Sequence, residues 1–264
     1  MDVRVVTNGS APFRRWLENL EFAEALTRVA VSLDHFSDAS VLQLRGKRGF
    51  HDALETGDML LHLSVPFAIN CTVTSLLAPQ IGEMIDFCER LGASRLNLHW
   101  LSPVGRGRER PDLVVPPEEW EGVLDTVGLY RSPRQDFVVD CEIGWMTESL
   151  ADRAESFSCA TRDRTNLQFM PDGRVFSCGL LAESPTLNGY KWRDGALWRR
   201  RGTNEVSITA QQHHCVGCPI RETRDEYRFA LPPNAAPACI YQRLIAPESL
   251  GRSSAASINS GPDH

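Results

Sequence analysis

Residues 64–100 read SVPFAINCTVTSLLAPQIGEMIDFCERLGASRLNLHW. The stretch from Ser64 to Thr74 is rich in β-branched and apolar residues and reads as a strand. From Ile81 to Leu91 the period changes. Ile81, Met84, Ile85, Cys88 and Leu91 fall on one stripe of a helix that stops at Gly92, a common residue just past a helix end. Arg95 to Trp100 is again a strand. Strand, helix and strand in under forty residues predict a crossover unit with parallel strands.

The same alternation extends both ways. Val3–Thr7 is a short strand stopped by Asn8-Gly9, Trp16–Leu26 has helical spacing, Val29–Leu33 is a strand, and Phe50–Leu61 is a helix. Pro116-Pro117-Glu118-Glu119 opens a further helix, with proline in the first turn and acids at the positive end of the dipole. Phe137–Ile143 is the last strand of this series. The expectation is an α/β fold over residues 1–150. Beyond 150 helical periodicity fades and glycine, proline and cysteine become frequent. Leu167–Met170 and Arg174–Ser177 flank Pro171-Asp172-Gly173, a hairpin with a strong turn signal. Residues 151–245 are therefore expected to form a small cysteine-rich α+β domain. Residues 246–264, rich in serine, glycine and proline, are expected to be a disordered tail.

The chain has 264 residues, 42% hydrophobic and 23% charged, with a formal net charge of −6. That is an ordinary globular composition. The acidic balance disfavours a nucleic-acid partner. No apolar run approaches the ~18 residues of a membrane span, and Met1-Asp2-Val3-Arg4 lacks the order of a signal peptide. The expectation is a cytoplasmic protein whose eight cysteines are kept reduced. Cys71, Cys88 and Cys141 stand alone in apolar surroundings and read as small core residues.

The later cysteines need another account. Cys159 is followed by thirteen residues, Gly173, four residues and Cys178; thirty-six residues later comes Cys215-Val216-Gly217-Cys218. The hairpin brings Cys178 back toward the segment of Cys159, and the Cys-x-x-Cys supplies two sulfurs from one turn. Four thiolates suit tetrahedral zinc or an iron–sulfur cluster, and spacing alone leaves both open. His213 and His214 read as exposed neighbours, and Cys239 as core packing more than a fifth ligand.

This cysteine pattern resembles the twitch domain, the shorter form of the SPASM domain, which follows the catalytic barrel in many radical S-adenosylmethionine (radical SAM) enzymes. It is similar to that of the 2-deoxy-scyllo-inosamine dehydrogenases of the family. The barrel half agrees in order. Val5-Val6-Thr7-Asn8-Gly9 looks like the end of the third barrel strand, and Val29–Asp34 like the fourth. Leu44-Arg45-Gly46 with Gly49-Phe50 resembles the element that follows, and Gly92–Asn97 leading to Ser102–Gly107 looks like the sixth strand and its exit loop. The resemblance implies a partial (β/α)6 barrel, strands three to six and the helix after them, followed by the twitch domain. It implies S-adenosylmethionine (SAM) near Asn8, Ser32, Asp34 and Arg106, and an auxiliary [4Fe-4S] cluster on Cys159, Cys178, Cys215 and Cys218.

The sequence departs from the family in one large respect: it contains no Cys-x3-Cys-x2-Cys motif, which holds the SAM-cleaving cluster, and no Gly-Gly-Glu motif. A fragment or misplaced start, a degenerate relative, and a second chain supplying the missing strands are the three explanations, with the first expected. The implied chemistry is radical oxidation or modification of a small molecule or peptide, with flavodoxin or ferredoxin as electron donor. The alternative is a non-catalytic zinc or iron–sulfur protein without SAM cleavage. Asn70, Thr72, His99 and Arg106 read either as cavity-lining groups or as ordinary structural ones. The basic runs Arg106–Arg110 and Arg199–Arg201 read chiefly as solvated charge.

Overall fold

A computed structural model of the chain describes residues 3–101, 107, 109–142, 145–146, 168–170, 172–176, 190–199, 236–237 and 243–245. The chain gathers into two units, Met1–Gly144 with Arg243–His264, and Trp145–Gln242.

The first unit is built on a six-stranded sheet. Its strands are β1 (Val3–Thr7), β2 (Leu26–Ser32), β3 (Phe67–Val73), β4 (Arg95–Trp100), β5 (Val138–Glu142) and, from the chain's far end, β12 (Arg243–Ile245), in that spatial order. β1 to β5 are all parallel, and β12 pairs antiparallel with β5. Sequential order with right-handed crossovers returns every connecting helix to the same side, as in a barrel wall. The main crossover helices are α4 (Gly49–His62), α5 (Ile81–Arg90) and α6 (Pro117–Leu129). Each strand sends alternate residues to that side. Val29, Val31, Ile69, Cys71, Val73, Leu96, Leu98, Val139 and Cys141 are buried there with Leu60, Met84, Ile85, Cys88, Trp120 and Leu124 of the helices.

β5 is the strand read from the sequence over Phe137–Ile143, one beyond the four that the resemblance counts as barrel strands. Val139 and Cys141 of β5 continue the apolar alternation, so the strand extends the same wall. The helix expected over Trp16–Leu26 is instead two pieces, α1 (Ala11–Leu17) and α2 (Leu20–Ala25). Asn19 breaks it: its side chain accepts the Phe22 backbone N–H at 3.2 Å and caps the second piece. Leu26 then belongs to β2. A further short helix, α3 (Asp38–Arg45), precedes α4.

The second unit contains a four-stranded antiparallel sheet in the order β10-β9-β8-β7: Ala196–Arg199, Tyr190–Arg193, Arg174–Phe176 and Gln168–Phe169. A two-stranded pair joins β6 (Trp145–Met146) and β11 (Ala236–Pro237). The expected hairpin is β7–β8, with Phe169 opposite Val175. Gly173 has φ +81°, and a Cβ there would stand 2.8 Å from the Trp192 carbonyl oxygen. The Trp192 N–H donates to the Gly173 oxygen at 2.6 Å, so the tight turn is seated against β9. Cys159, Cys178, Cys215, Cys218, Cys239, Arg106, His213, His214 and the tail 246–264 lie outside the described residues.

No helix among the described residues is long and apolar enough to cross a membrane.

Candidate functional site

The sheet's second face carries polar residues at every other position. Ser32 of β2, Asn70 and Thr72 of β3, Asn97 and His99 of β4, and Asp140 and Glu142 of β5 all alternate with the buried apolar set. Parallel strands buried on both faces read as continuous apolar runs. The broken alternation in RLNLHW and VVDCE therefore marks a face that meets something polar.

Register aligns these residues into a row. Ser32 pairs with Asn70, Asn70 with Asn97, and Asn97 with Asp140. Asn97 Nδ2 donates to Asn70 Oδ1 at 2.7 Å. Arg95 Nη1 donates to Asp140 Oδ2 at 3.0 Å. One step toward the strands' C-terminal ends, Thr72 pairs with His99, and His99 Nδ1 stands 3.6 Å from Glu142 Oε2. Glu142 is buried. Sites on parallel sheets form at this end, where the connections diverge.

Asp34 lies just past the end of β2 and is buried. Its Oδ1 accepts the Thr72 backbone N–H at 2.8 Å and its Oδ2 accepts Arg45 Nε at 2.5 Å. The carboxylate thus extends the β2–β3 ladder by one rung, after the Leu33 N–H bond to the Asn70 carbonyl. Next to it, His35 Nδ1 accepts the Ser37 N–H at 3.0 Å and the ring stacks on Phe36. Burial lowers the His35 pKa, and the nearby Glu83 carboxylate opposes this only in part.

The loop after β1 is held by a knot of bonds. Gly9 has φ +74°, and a Cβ there would meet the Asp52 carbonyl oxygen at 2.7 Å. The Gly9 carbonyl accepts from Thr56 Oγ1 at 2.8 Å and from Arg14 Nη1 at 2.5 Å, and Arg14 also pairs with Asp52 and Glu55. Asn8 accepts the Ser10 N–H through Oδ1 at 3.1 Å. Asn8 is therefore fixed beyond the end of β1, and its Nδ2 makes no hydrogen bond among the described residues.

Of the sequence-predicted residues, Asn8, Ser32 and Asp34 all sit at or just past strand ends, and Asn70, Thr72 and His99 share the polar face. Asn97, Asp140 and Glu142 belong to that face too and were not singled out by sequence. The signal for them is the period-two polarity of β4 and β5. Cys71, Cys88 and Cys141 are buried free thiols, as expected. Burial pushes the Cys71 and Cys88 thiols up, so both stay protonated and make poor metal ligands. Among the described residues no three His, Cys, Asp or Glu side chains are grouped to hold a metal ion.

No family profile matches the chain. In sequence it is similar to the AdoMet-dependent heme synthase of Oleidesulfovibrio alaskensis, 32% identical over 99 residues, which is 37% of this chain and 26% of that protein. The corresponding protein of Methanosarcina barkeri is 30% identical over 123 residues, 46% of this chain and 34% of the relative. The chain thus spans about a quarter to a third of the length of these curated relatives. Among solved structures, Streptococcus suis SuiB bound to S-adenosylmethionine superposes with a TM-score of 0.53 at 16% identity, over 70% of this chain and 44% of that one. SuiB bound to its precursor peptide SuiA gives 0.55 at 17%, over 71% and 45%. These structural likenesses are of fold.

Proposed function

We propose that this chain is a radical SAM-type protein in which the polar face of the parallel sheet is the substrate and SAM side. The second unit would carry an auxiliary iron–sulfur cluster. The observation that carries the reading is the singly wound parallel sheet, with a row of polar side chains in register opposite its helices. Relatives named as AdoMet-dependent and a like-folded protein that binds S-adenosylmethionine support it.

In this reading Ser32 and the Asn8 amide contact SAM, Arg106 joins them from the exit loop after β4, and Asp34 acts through the backbone it holds. Ser32 makes no hydrogen bond among the described residues, so its hydroxyl suits a ligand. Asp34 has both oxygens engaged, so it positions β3 more than it binds. Cys159, Cys178, Cys215 and Cys218 hold the auxiliary cluster, which would supply one-electron chemistry. With four cysteine ligands no iron is open to substrate, which favours electron transfer. A flavodoxin or ferredoxin is the electron donor in this reading, with the auxiliary cluster accepting or relaying an electron. The substrate is a small molecule or a peptide; SuiB, of the same fold, binds a precursor peptide. The sequence carries no Cys-x3-Cys-x2-Cys motif, so SAM cleavage is not assigned to the chain by itself.

Anaerobic reconstitution with iron and sulfide tests this. The expected result is about four irons and four sulfides per chain, falling when any of the four cysteines is changed to serine. Zinc without labile sulfide would replace the redox reading with a structural metal site.

A further inference from the structure

β1 ends the parallel sheet, with β2 on one side and no strand among the described residues on the other. Its backbone directions follow from the ladder. In a parallel sheet successive residues turn their N–H and C=O groups to alternate neighbours. The Val29 and Leu33 N–H groups donate to the Pro66 and Asn70 carbonyls, so the odd residues of β2 serve β3. Arg28, Ala30 and Ser32 therefore serve β1. Val5 and Thr7, the register partners of Val29 and Val31, turn toward β2 in return. The Val3 N–H points the same way, to Thr27 Oγ1 at 3.2 Å. Arg4 and Val6 are left with their N–H and C=O groups directed outward.

This edge lacks the usual protection. Proline, lysine or a covering helix blunts most edge strands. VRVVT has neither residue, and Val6 is 69% exposed. The helix side is open as well: Val3 and Val5 are half-buried where Val29 and Val31 of β2 are fully buried. α1 and α2 join β1 to β2, and α4 lies in the connection from β2 to β3, so the flank of α1 away from α4 lies beyond β1. Arg14 of α1 binds Asp52 and Glu55 of α4. Trp16 is two residues on, about 200° round the helix, and so stands on that outer flank. It is 63% exposed, as is Leu20 at the start of α2.

The edge is also complementary to itself. A twofold axis perpendicular to the sheet pairs two copies of β1 antiparallel and keeps both sets of helices on one side. With Val5 on the axis, Arg4 faces the second copy's Val6, and Val6 faces the second copy's Arg4. These are the outward residues, so both facing pairs exchange both of their backbone hydrogen bonds. The apolar stem of Arg4 then covers Val6. An axis at Arg4 would set like charges opposite each other. An axis at Val6 would call on Asn8, where the chain already turns off through Gly9 at φ +74°. The axis at Val5 brings Trp16 and Leu20 beside their own counterparts. About 100–150 Å² of each indole is open to be covered. With Leu20, Val6 and the strand ladder this makes an interface at the small end of the specific range.

We propose that two copies of this chain join β1 to β1, antiparallel with Val5 opposite Val5, into one continuous sheet with α1 and α2 packed across the axis. The inference concerns the edge of the sheet and does not rest on the chemistry proposed for its polar face.

Sedimentation velocity of the full chain over a wide concentration range tests it. A reversible monomer–dimer equilibrium is expected. Val6→Pro is expected to weaken the dimer by about tenfold or more, because it removes one outward donor from each copy. Its monomer should keep the wild-type thermal midpoint, since that N–H does not serve β2. Trp16→Glu, at an exposed side chain, gives a second reading should Val6→Pro fail to fold. Oxidation reads the register. Val5→Cys is expected to form a disulfide between copies, its Cα atoms standing about 4.5 Å apart. Val6→Cys is not, at about 7–8 Å on the diagonal; the unsubstituted chain controls for its own eight cysteines. A chain that stays monomeric at every concentration, as it would if the edge takes a strand of another polypeptide, overturns the proposal. So does a dimer untouched by both Val6→Pro and Trp16→Glu, or cross-linking of Val6→Cys in preference to Val5→Cys.

Discussion

Asp34 offers the most direct test of how the site is held. Replacing it with alanine removes the acceptor of the Thr72 N–H and the partner of Arg45. A buried N–H left without an acceptor costs about 1–3 kcal/mol. Loss of the ion pair adds about 1 kcal/mol or less, since the Arg45 side chain is 29% exposed and hydrates readily. Asp34→Ala is therefore expected to lose about 1–4 kcal/mol, a large share of a typical 5–15 kcal/mol. Asp34→Asn keeps an oxygen for Thr72 and should lose about 1 kcal/mol. Urea midpoints measure both. Hydrogen exchange gives the local answer: the Thr72 amide should exchange about a hundredfold faster in the alanine variant if opening falls by about 3 kcal/mol. Wild-type exchange at Thr72 in Asp34→Ala, or equal losses in the two variants, would refute the rung.

Other perturbations probe the frame around the site. Burial alone would raise the Glu89 carboxyl, but bonds from Ser132, Tyr130 and the Arg134 N–H, with the Arg134 charge, leave it below the usual carboxylate range. A carboxyl lowered in the folded state stabilises above its unfolded pKa, and that contribution is lost as pH falls through the folded value. Wild type should thus lose more stability than Glu89→Gln on acidification below about pH 4.5, while at neutral pH the glutamine variant is weaker by about 1–2 kcal/mol; parallel acid titrations of the two would count against the network. Gly9→Ala should cost about 2 kcal/mol or more, from its left-handed backbone and the contact with the Asp52 carbonyl. An unchanged thermal midpoint would show that the loop after β1 relaxes freely.

Much of this architecture is legible in the sequence where the period is long and clean. IGEMIDFCERL gives one helical stripe, and the structure places Ile81, Met84, Ile85 and Cys88 in the core. The turn at Asp172-Gly173 is equally plain, since the hairpin needs the positive φ that glycine supplies. What escapes is set by side-chain bonding at a distance. The break at Asn19 depends on a cap, not on periodicity. The roles of Asp34 and Glu89 depend on backbone groups 38 and 45 residues away, which no local pattern encodes. β12 escapes because three residues are too short a run to signal a strand. The polar row is half legible: alternation shows that a face exists, but only register shows that Ser32, Asn70, Asn97 and Asp140 stand side by side.

The antiparallel return of β12 has a thermodynamic consequence. Arg243 is the register partner of Glu142, so the stretch between them leaves one strand and comes back on its neighbour. In chain-statistical terms the whole second unit is the connection of a hairpin. Closing so long a connection costs about 0.6 kcal/mol per doubling of length, roughly 3 kcal/mol more than a tight turn would. That cost applies while the connection is loose and shrinks once its ends are held in place by ordered structure. Anything that orders the second unit so as to bring its ends together tightens β12 onto β5. Order in one unit and the firmness of the sheet in the other are then linked through the chain itself.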